Sequence, residues 1–276
     1  MTAPRALFLL LPMFFLAACA TSGGGYYEDD GPHSRIPPNL AAIPDAVPRT
    51  EPLSKGGNRP YSVYGVSYQP LKTSRGYRER GVASWYGKKF HGRKTSNGEA
   101  YDMYAMTAAH KTLPLPSYVR VRNLNNGKSV VVRVNDRGPF LHNRLIDLSY
   151  AAAERLGIVA SGTGIVEVEG LTGDSPPTVT ATPPALPQVI PAAVAAEPPR
   201  LYLQAGAFTS RVNADALRDR LVDKGFTPVH VEPVDRDGTP LYRVRLGPVP
   251  NVEESDRLVA RITAQGLPAP IVVVEQ

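Results

Sequence analysis

Cysteine is nearly absent: the 276-residue chain holds one, Cys19, so no intramolecular disulfide can form and every domain has to be held by an ordinary core. Histidine and tryptophan are also scarce, at five and one, and no cluster of metal-ligating residues or phosphate-binding loop occurs, so no cofactor is expected. Long apolar runs are missing too. The longest candidate, from Ala6 to Ala18, is too short to span a bilayer comfortably.

That run nevertheless carries information. One basic residue, Arg5, precedes it, and it closes on Leu16-Ala17-Ala18-Cys19, small residues ending in the lone thiol. This is the layout of a secretory signal, with residues 1–18 removed. The closing tetrapeptide resembles a bacterial lipobox, which implies acylation of Cys19 and anchoring by several acyl chains. Ala20 stands where an aspartate would resemble an inner-membrane retention signal, so the expected address is the outer membrane, facing the periplasm.

Composition alternates along the rest of the chain. Residues 19–76 open with three glycines and continue through scattered prolines with little periodicity, which reads as a disordered tether. Residues 77–170 change to short apolar strands at 82–86, 118–122, 129–134 and 163–168, with Asn125-Asn126-Gly127 as a hairpin turn. One helix at 149–156 ends on Gly157. The pattern predicts a compact, mostly β, barrel-like domain. Residues 171–198 carry Pro176-Pro177 and Pro183-Pro184 and end at the Pro198-Pro199 pair, and they read as a stiffened linker.

Residues 199–276 then run strand, helix, strand, strand, helix, strand, with glycines at 225 and 266 closing the two helices. That β-α-β-β-α-β order predicts one antiparallel sheet with both helices on one face and the other face open for binding. The fold class expected overall is mainly β plus α+β.

Charge distinguishes the two domains. The barrel segment has fourteen Lys/Arg against eight Asp/Glu, whereas residues 199–276 carry ten of each. A basic excess on an exported chain points to an anionic envelope polymer such as peptidoglycan rather than to nucleic acid. The shape of the C-terminal domain also occurs in RNA-recognition modules, but zero net charge and an exported address argue against RNA.

Residues with chemical potential fall in two runs, 96–110 and 132–140. Glu99, Asp102 and His110 lie in or beside turn-rich sequence, and Asp136 comes where an apolar strand gives way to a Gly-Pro turn, a setting in which a carboxyl group can be partly desolvated. The residues alone leave open whether Asp136 is an acid or an ion-pair partner of Arg133 or Arg137, whether Asp102 caps a turn, and whether His110 is an ordinary surface side chain. Trp85 and Tyr86 can stack on sugar rings, with a core place in the first strand as the alternative for Trp85.

The segments "GVASWYG", "TSNGEAYDMYAMTAAHKTLPLPSYVRV" and "VVVRVNDRGPF" resemble the rare lipoprotein A family of septal lytic transglycosylases, and "LYLQAGAF" with "LYRVRLGP" resembles a SPOR domain. The resemblance implies a double-psi β-barrel followed by a module that binds glycan strands stripped of peptide. It implies non-hydrolytic cleavage of the bond between N-acetylmuramic acid and N-acetylglucosamine, leaving 1,6-anhydro ends at the division septum. It places Glu99, Asp102 and His110 on the family's functional positions and Asp136 on the strand-end aspartate that serves as acid in related barrels. Under this reading Asp136 donates the proton, with Glu99 as the alternative acid because nothing in the sequence orders their pKa values, Glu99 and Asp102 otherwise stabilise charge or orient the sugar, and His110 holds the carboxylates. Gln204, Tyr242 and Arg243 become the glycan contacts of the second domain. Peptidoglycan is the implied partner, with proteins of the division machinery as further candidates. The rival expectation is a non-catalytic, glycan-binding septal scaffold.

Overall fold

The computed structural model describes residues 30–32, 37, 39–141, 143–173 and 198–275. Cys19, the signal segment and most of the Pro-rich linker lie outside the described residues.

The segment expected to be a disordered tether is in part built onto the barrel. A single 3-10 turn, Leu40–Ala42, is followed by an extended run and a hairpin of β1 (Tyr61–Val63) and β2 (Val66–Tyr68). Leu40 is buried with the barrel core. Backbone bonds from Ala46 N to Val131 O, Ser54 N to Leu115 O (2.8 Å) and Leu71 N to Thr112 O (2.7 Å) pin the run along its length. Extended chain that satisfies its backbone on a neighbour's surface and buries isolated side chains has no period of its own. Pattern reading therefore mistakes it for disorder.

Next come β3 (Arg78–Tyr86), β4 (Thr107–His110), β5 (Ser117–Asn123), β6 (Ser129–Asp136), β7 (Ile146–Ser149), α1 (Tyr150–Leu156) and β8 (Gly164–Leu171). The six long-range strands close into a barrel in the order β3-β7-β4-β6-β5-β8. Two pairs, β3 with β7 and β4 with β6, are parallel, and the other four contacts are antiparallel. This is the double-psi barrel that the resemblance implies. Alternation along β5 and β6 sends Val119, Val121, Val130, Val132 and Val134 inward, where none is more than 1% exposed. At the start of α1 the Ser149 hydroxyl accepts from Ala152 N and donates to Ala105 O, and at its end Gly157 takes φ 77°, the left-handed conformation a helix C-cap requires.

Strands β4 and β7 are the elements that the sequence pattern does not announce. Each is four residues long and buried on both faces, so neither shows polar-apolar alternation.

The C-terminal domain consists of β9 (Arg200–Phe208), α2 (Arg211–Asp223), β10 (Val229–Arg236), β11 (Thr239–Val249), α3 (Val252–Ala264) and β12 (Ile271–Glu275). Its strands form one antiparallel sheet in the order β10-β11-β9-β12. Leu203 and Val244 of the sheet meet Leu221 of α2 and Ile262 of α3 in one apolar layer. Ser210 and Asn251 cap the two helices with side-chain oxygens.

If residues 39–76 belong to the folded unit, Leu40→Ala lowers its stability by about 2–3 kcal/mol in urea melts, the cost of emptying a buried leucine site. A disordered tether would show no change.

Candidate active site

Strand β4 lies between β6 and β7, and one residue of it touches both. Ala109 pairs with Asp136 on β6 and with Asp147 on β7. Residues paired across neighbouring strands point to the same face, so both carboxyl groups stand on one wall with only a methyl group between them. Their backbones are separated by two strand spacings, roughly 10 Å. The register slips between Ala108 and Ala109, leaving Asn135 as the extra residue of a bulge. A bulge at this point re-aims the following side chain, Asp136.

Asp136 and Asp147 line the same cleft, of about 380 Å³, together with Tyr86, Pro139, Phe140 and Tyr64. Their surroundings differ. Asp136 Oδ1 accepts three hydrogen bonds, from Ser96 N (2.8 Å), Ser96 Oγ (2.6 Å) and Arg137 N (2.7 Å). Asp147 is only 8% exposed and accepts a hydrogen bond from the Ser84 hydroxyl. Burial pushes the Asp147 carboxyl up to about 6, outweighing the Ser84 bond and the positive charges of Arg144 and Lys111, while the negative Asp136 adds to the rise.

Sequence reasoning passed over Asp147. Its signal was present: a single carboxylate inside Leu145-Ile146-Asp147-Leu148, immediately before a helix N-cap, is an acid in an apolar run.

The other expected residues are dispersed. Glu99 is gripped by Arg133 at 2.7 and 2.9 Å and by Asn135 Nδ2 at 3.0 Å, and the guanidinium holds its carboxyl below the usual range. A group so stabilised as the anion is a poor proton donor. Asp102 is exposed, accepts from Tyr104 N at 2.9 Å and faces His91 at 3.7 Å, so it organises its own turn. His110 does not hold the carboxylates as expected. Its Nδ1 accepts from Thr112 N (3.1 Å) and Leu113 N (3.0 Å), which leaves the proton on Nε2 to be donated to the Tyr77 hydroxyl at 2.9 Å. Burial pushes the ring down to about 3, so it is neutral. Its observed work is to shape the turn after β4.

Trp85, at 1% exposure, packs edge-on against Tyr150 in the core and presents no face to a sugar. Tyr86 stacks on Tyr101 with centroids 4.1 Å apart and forms part of the cleft wall. Alternation separates the expected contacts in the second domain. Gln204 pairs with Arg245, next but one to Arg243 on β11, and these side chains lie on the face away from the helices. Tyr242, one residue out of phase, packs on the helix side beneath the Arg211 guanidinium, 5.8 Å from its ring centroid. It is not a residue of the open face. Among the described residues no group of His, Cys, Asp and Glu is arranged to hold a metal ion.

Two family models match the barrel and the C-terminal domain that follows it. The model described as lytic transglycolase matches residues 78–169, and the SPOR domain model matches residues 197–273. The chain is 43% identical over 280 residues to the endolytic peptidoglycan transglycosylase RlpA of Pseudomonas aeruginosa, covering 85% of this chain and 82% of that one. It is 58% identical over 149 residues to the protein of the same name from Vibrio cholerae, covering 54% and 56%. The crystal structure of the RlpA SPOR domain from Pseudomonas aeruginosa is 37% identical, covers 26% of this chain and 96% of that one, and has a TM-score of 0.25. The chain belongs to the RlpA family.

The Asp147 environment has a consequence for stability. A carboxyl raised from 3.8 to about 6 binds its proton more tightly folded than unfolded, so the contribution is intact below pH 4 and is lost as pH rises through 6, at a cost of about 3 kcal/mol. Asp147→Asn removes this penalty. The variant should melt above the wild-type protein at pH 7, and the two curves should converge near pH 4.

Proposed function

We propose that the protein is a lytic transglycosylase that cuts the β-1,4 bond between N-acetylmuramic acid and N-acetylglucosamine in peptidoglycan, with Asp147 as the acid. The observation that carries this reading is the buried Asp147 carboxyl, held near pH 6 in a cleft shared with Asp136. Such a group retains a proton close to working pH and gives it up readily. Asp136, the acid expected from sequence, takes instead the part of the charge-stabilising partner, and Glu99 and Asp102 have none in the chemistry.

In the reaction Asp147 protonates the bridging oxygen as the bond from muramic acid C1 breaks, and the positive charge growing at C1 faces Asp136 across Ala109. The muramic 6-hydroxyl then attacks C1 and returns a proton to the Asp147 carboxylate. One bond breaks, one forms, and no water is consumed. The product is a 1,6-anhydro end, and a single acid/base group serves both steps because the nucleophile belongs to the substrate.

The second domain supplies the address. Its open face, carrying Gln204 and Arg243, suits a hydroxyl-rich strand from which peptides have been removed, with the muramic lactyl carboxylates left free. With acylation at Cys19, the protein would work from the outer membrane on the septal wall, where peptide-free strands mark cell separation.

Mass spectrometry of peptide-free glycan incubated with the protein should show anhydro-ended oligosaccharides, and their absence with well-folded protein would favour the non-catalytic scaffold. Asp147→Asn should lower kcat by at least about 100-fold, the usual contribution of a positioned acid. In the wild type, kcat/KM should fall tenfold per unit above about pH 6, where the folded Asp147 loses its proton. A profile flat from pH 5 to 8 would remove Asp147 from the role.

A further inference from the structure

The hairpin of β1 and β2 lies outside the 78–169 match and carries a residue that its own fold does not explain. Tyr64 and Gly65 form a two-residue turn closed by the Val63–Val66 pair, with φ of 49° and 78°. Such a turn needs two left-handed residues, and Asn-Gly is its usual filling. A tyrosine at the first position carries backbone strain that asparagine or glycine would largely avoid. The side chain recovers nothing by burial, since Tyr64 is 88% exposed. It lines the cleft that contains Asp136 and Asp147.

The turn is rigidly mounted. Tyr61 and Tyr68, on the two strands, stack with centroids 5.1 Å apart, and Phe140 of the cleft wall sits 6.1 and 5.8 Å from them. The Tyr61 hydroxyl donates to Lys111 O at 2.7 Å. Arg137 lies over the Tyr61 ring at 5.8 Å and bonds Gly57 O and Asn58 Oδ1, so the residue after Asp136 clamps the base of the hairpin. A strained, exposed aromatic held firmly at the mouth of a cleft is arranged to meet something. Tyr64, Pro139 and Phe140 present apolar surfaces, which suit the C–H face of a sugar ring rather than the charged stem peptide.

We propose that the β1–β2 hairpin forms a sugar-binding subsite at the mouth of the cleft, with Tyr64 as the platform on which one N-acetylhexosamine ring of the bound strand stacks. This rests on the glycan-cleaving reading of the cleft and adds to it a specificity-determining residue from the N-terminal segment.

The test uses the full chain in detergent with Asp147→Asn, titrated with a peptide-free tetrasaccharide of alternating N-acetylglucosamine and N-acetylmuramic acid, and followed by amide chemical shifts. Gly65 and Phe140 should move along with residues of the second domain, and the two binding events are resolved by residue. Adding Tyr64→Gly should weaken the hairpin event about tenfold, and Tyr64→Phe should hold it within about twofold, because the ring face is what binds. Tyr64→Gly relieves the strained φ, so its melting temperature should not fall, which separates lost binding from lost folding. Unmoved Gly65 and Phe140 amides, or equal affinity in Tyr64→Gly, would overturn the subsite. The wild-type chain is assayed for cleavage of the same saccharide in parallel: binding at the hairpin without cleavage defeats the lytic reading and leaves the subsite standing, whereas cleavage without hairpin shifts does the reverse.

Discussion

The placement of β4 between β6 and β7 is the constraint on which the chemistry of this protein depends. Ala109 has an aspartate paired on either side, and its methyl group is the only side-chain bulk between them. A larger residue would fill the space into which a sugar linkage has to reach. Two carboxyl groups on one wall acquire different characters because Asp136 accepts three hydrogen bonds on Oδ1 while Asp147 is buried with the Ser84 hydroxyl as its donor. Burial disfavours the Asp147 anion, and the neighbouring Asp136 charge pushes the same way.

Holding that wall open falls to two arginines at the end of β6 and to the residues outside the barrel strands that they grip. Arg137 spends all five of its guanidinium N–H donors on backbone oxygens of Gly57, His110 and Leu113 and on Asn58 Oδ1, so the strand end that carries Asp136 is tied both to the turn after β4 and to the N-terminal run. Arg133, two residues before the bulge, is shared between Glu51 and Glu99. The Glu51 carboxyl is drawn down to about 2 by that guanidinium, with the Tyr118 hydroxyl as a further donor. Partly buried, bidentate pairs of this kind are worth more than exposed ones, and they fix geometry as well as energy. The N-terminal run is thus a buttress of the cleft and the mount for its aromatic rim.

Legibility in the sequence followed periodicity. The alternating strands β5 and β6, the capped helices and the β-α-β-β-α-β order could be read directly, because each repeats an apolar position at the spacing its geometry demands. The N-terminal run could not, since it packs through isolated residues such as Leu40. Nor could β4 and β7, which are short and buried on both faces. Missing β7 meant missing Asp147, so the error in topology and the error in the candidate acid have one origin. Tyr242 shows the complementary limit: the strand was legible and alternation separates Tyr242 from Arg243, but which of its faces meets the helices is decided by tertiary packing.

Local sequence by itself determined the order of the two domains, the positions of their helices and the strong hairpin turn, because these depend on residues within a few positions of one another. Tertiary structure decided which carboxylates meet. Glu99, Asp102, His110, Asp136 and Asp147 lie within fifty residues, yet barrel closure brings only the last two into one cleft and turns the others toward Arg133, a local turn and Tyr77. Proton affinity is a property of the surroundings, and those surroundings are assembled by strands distant in sequence.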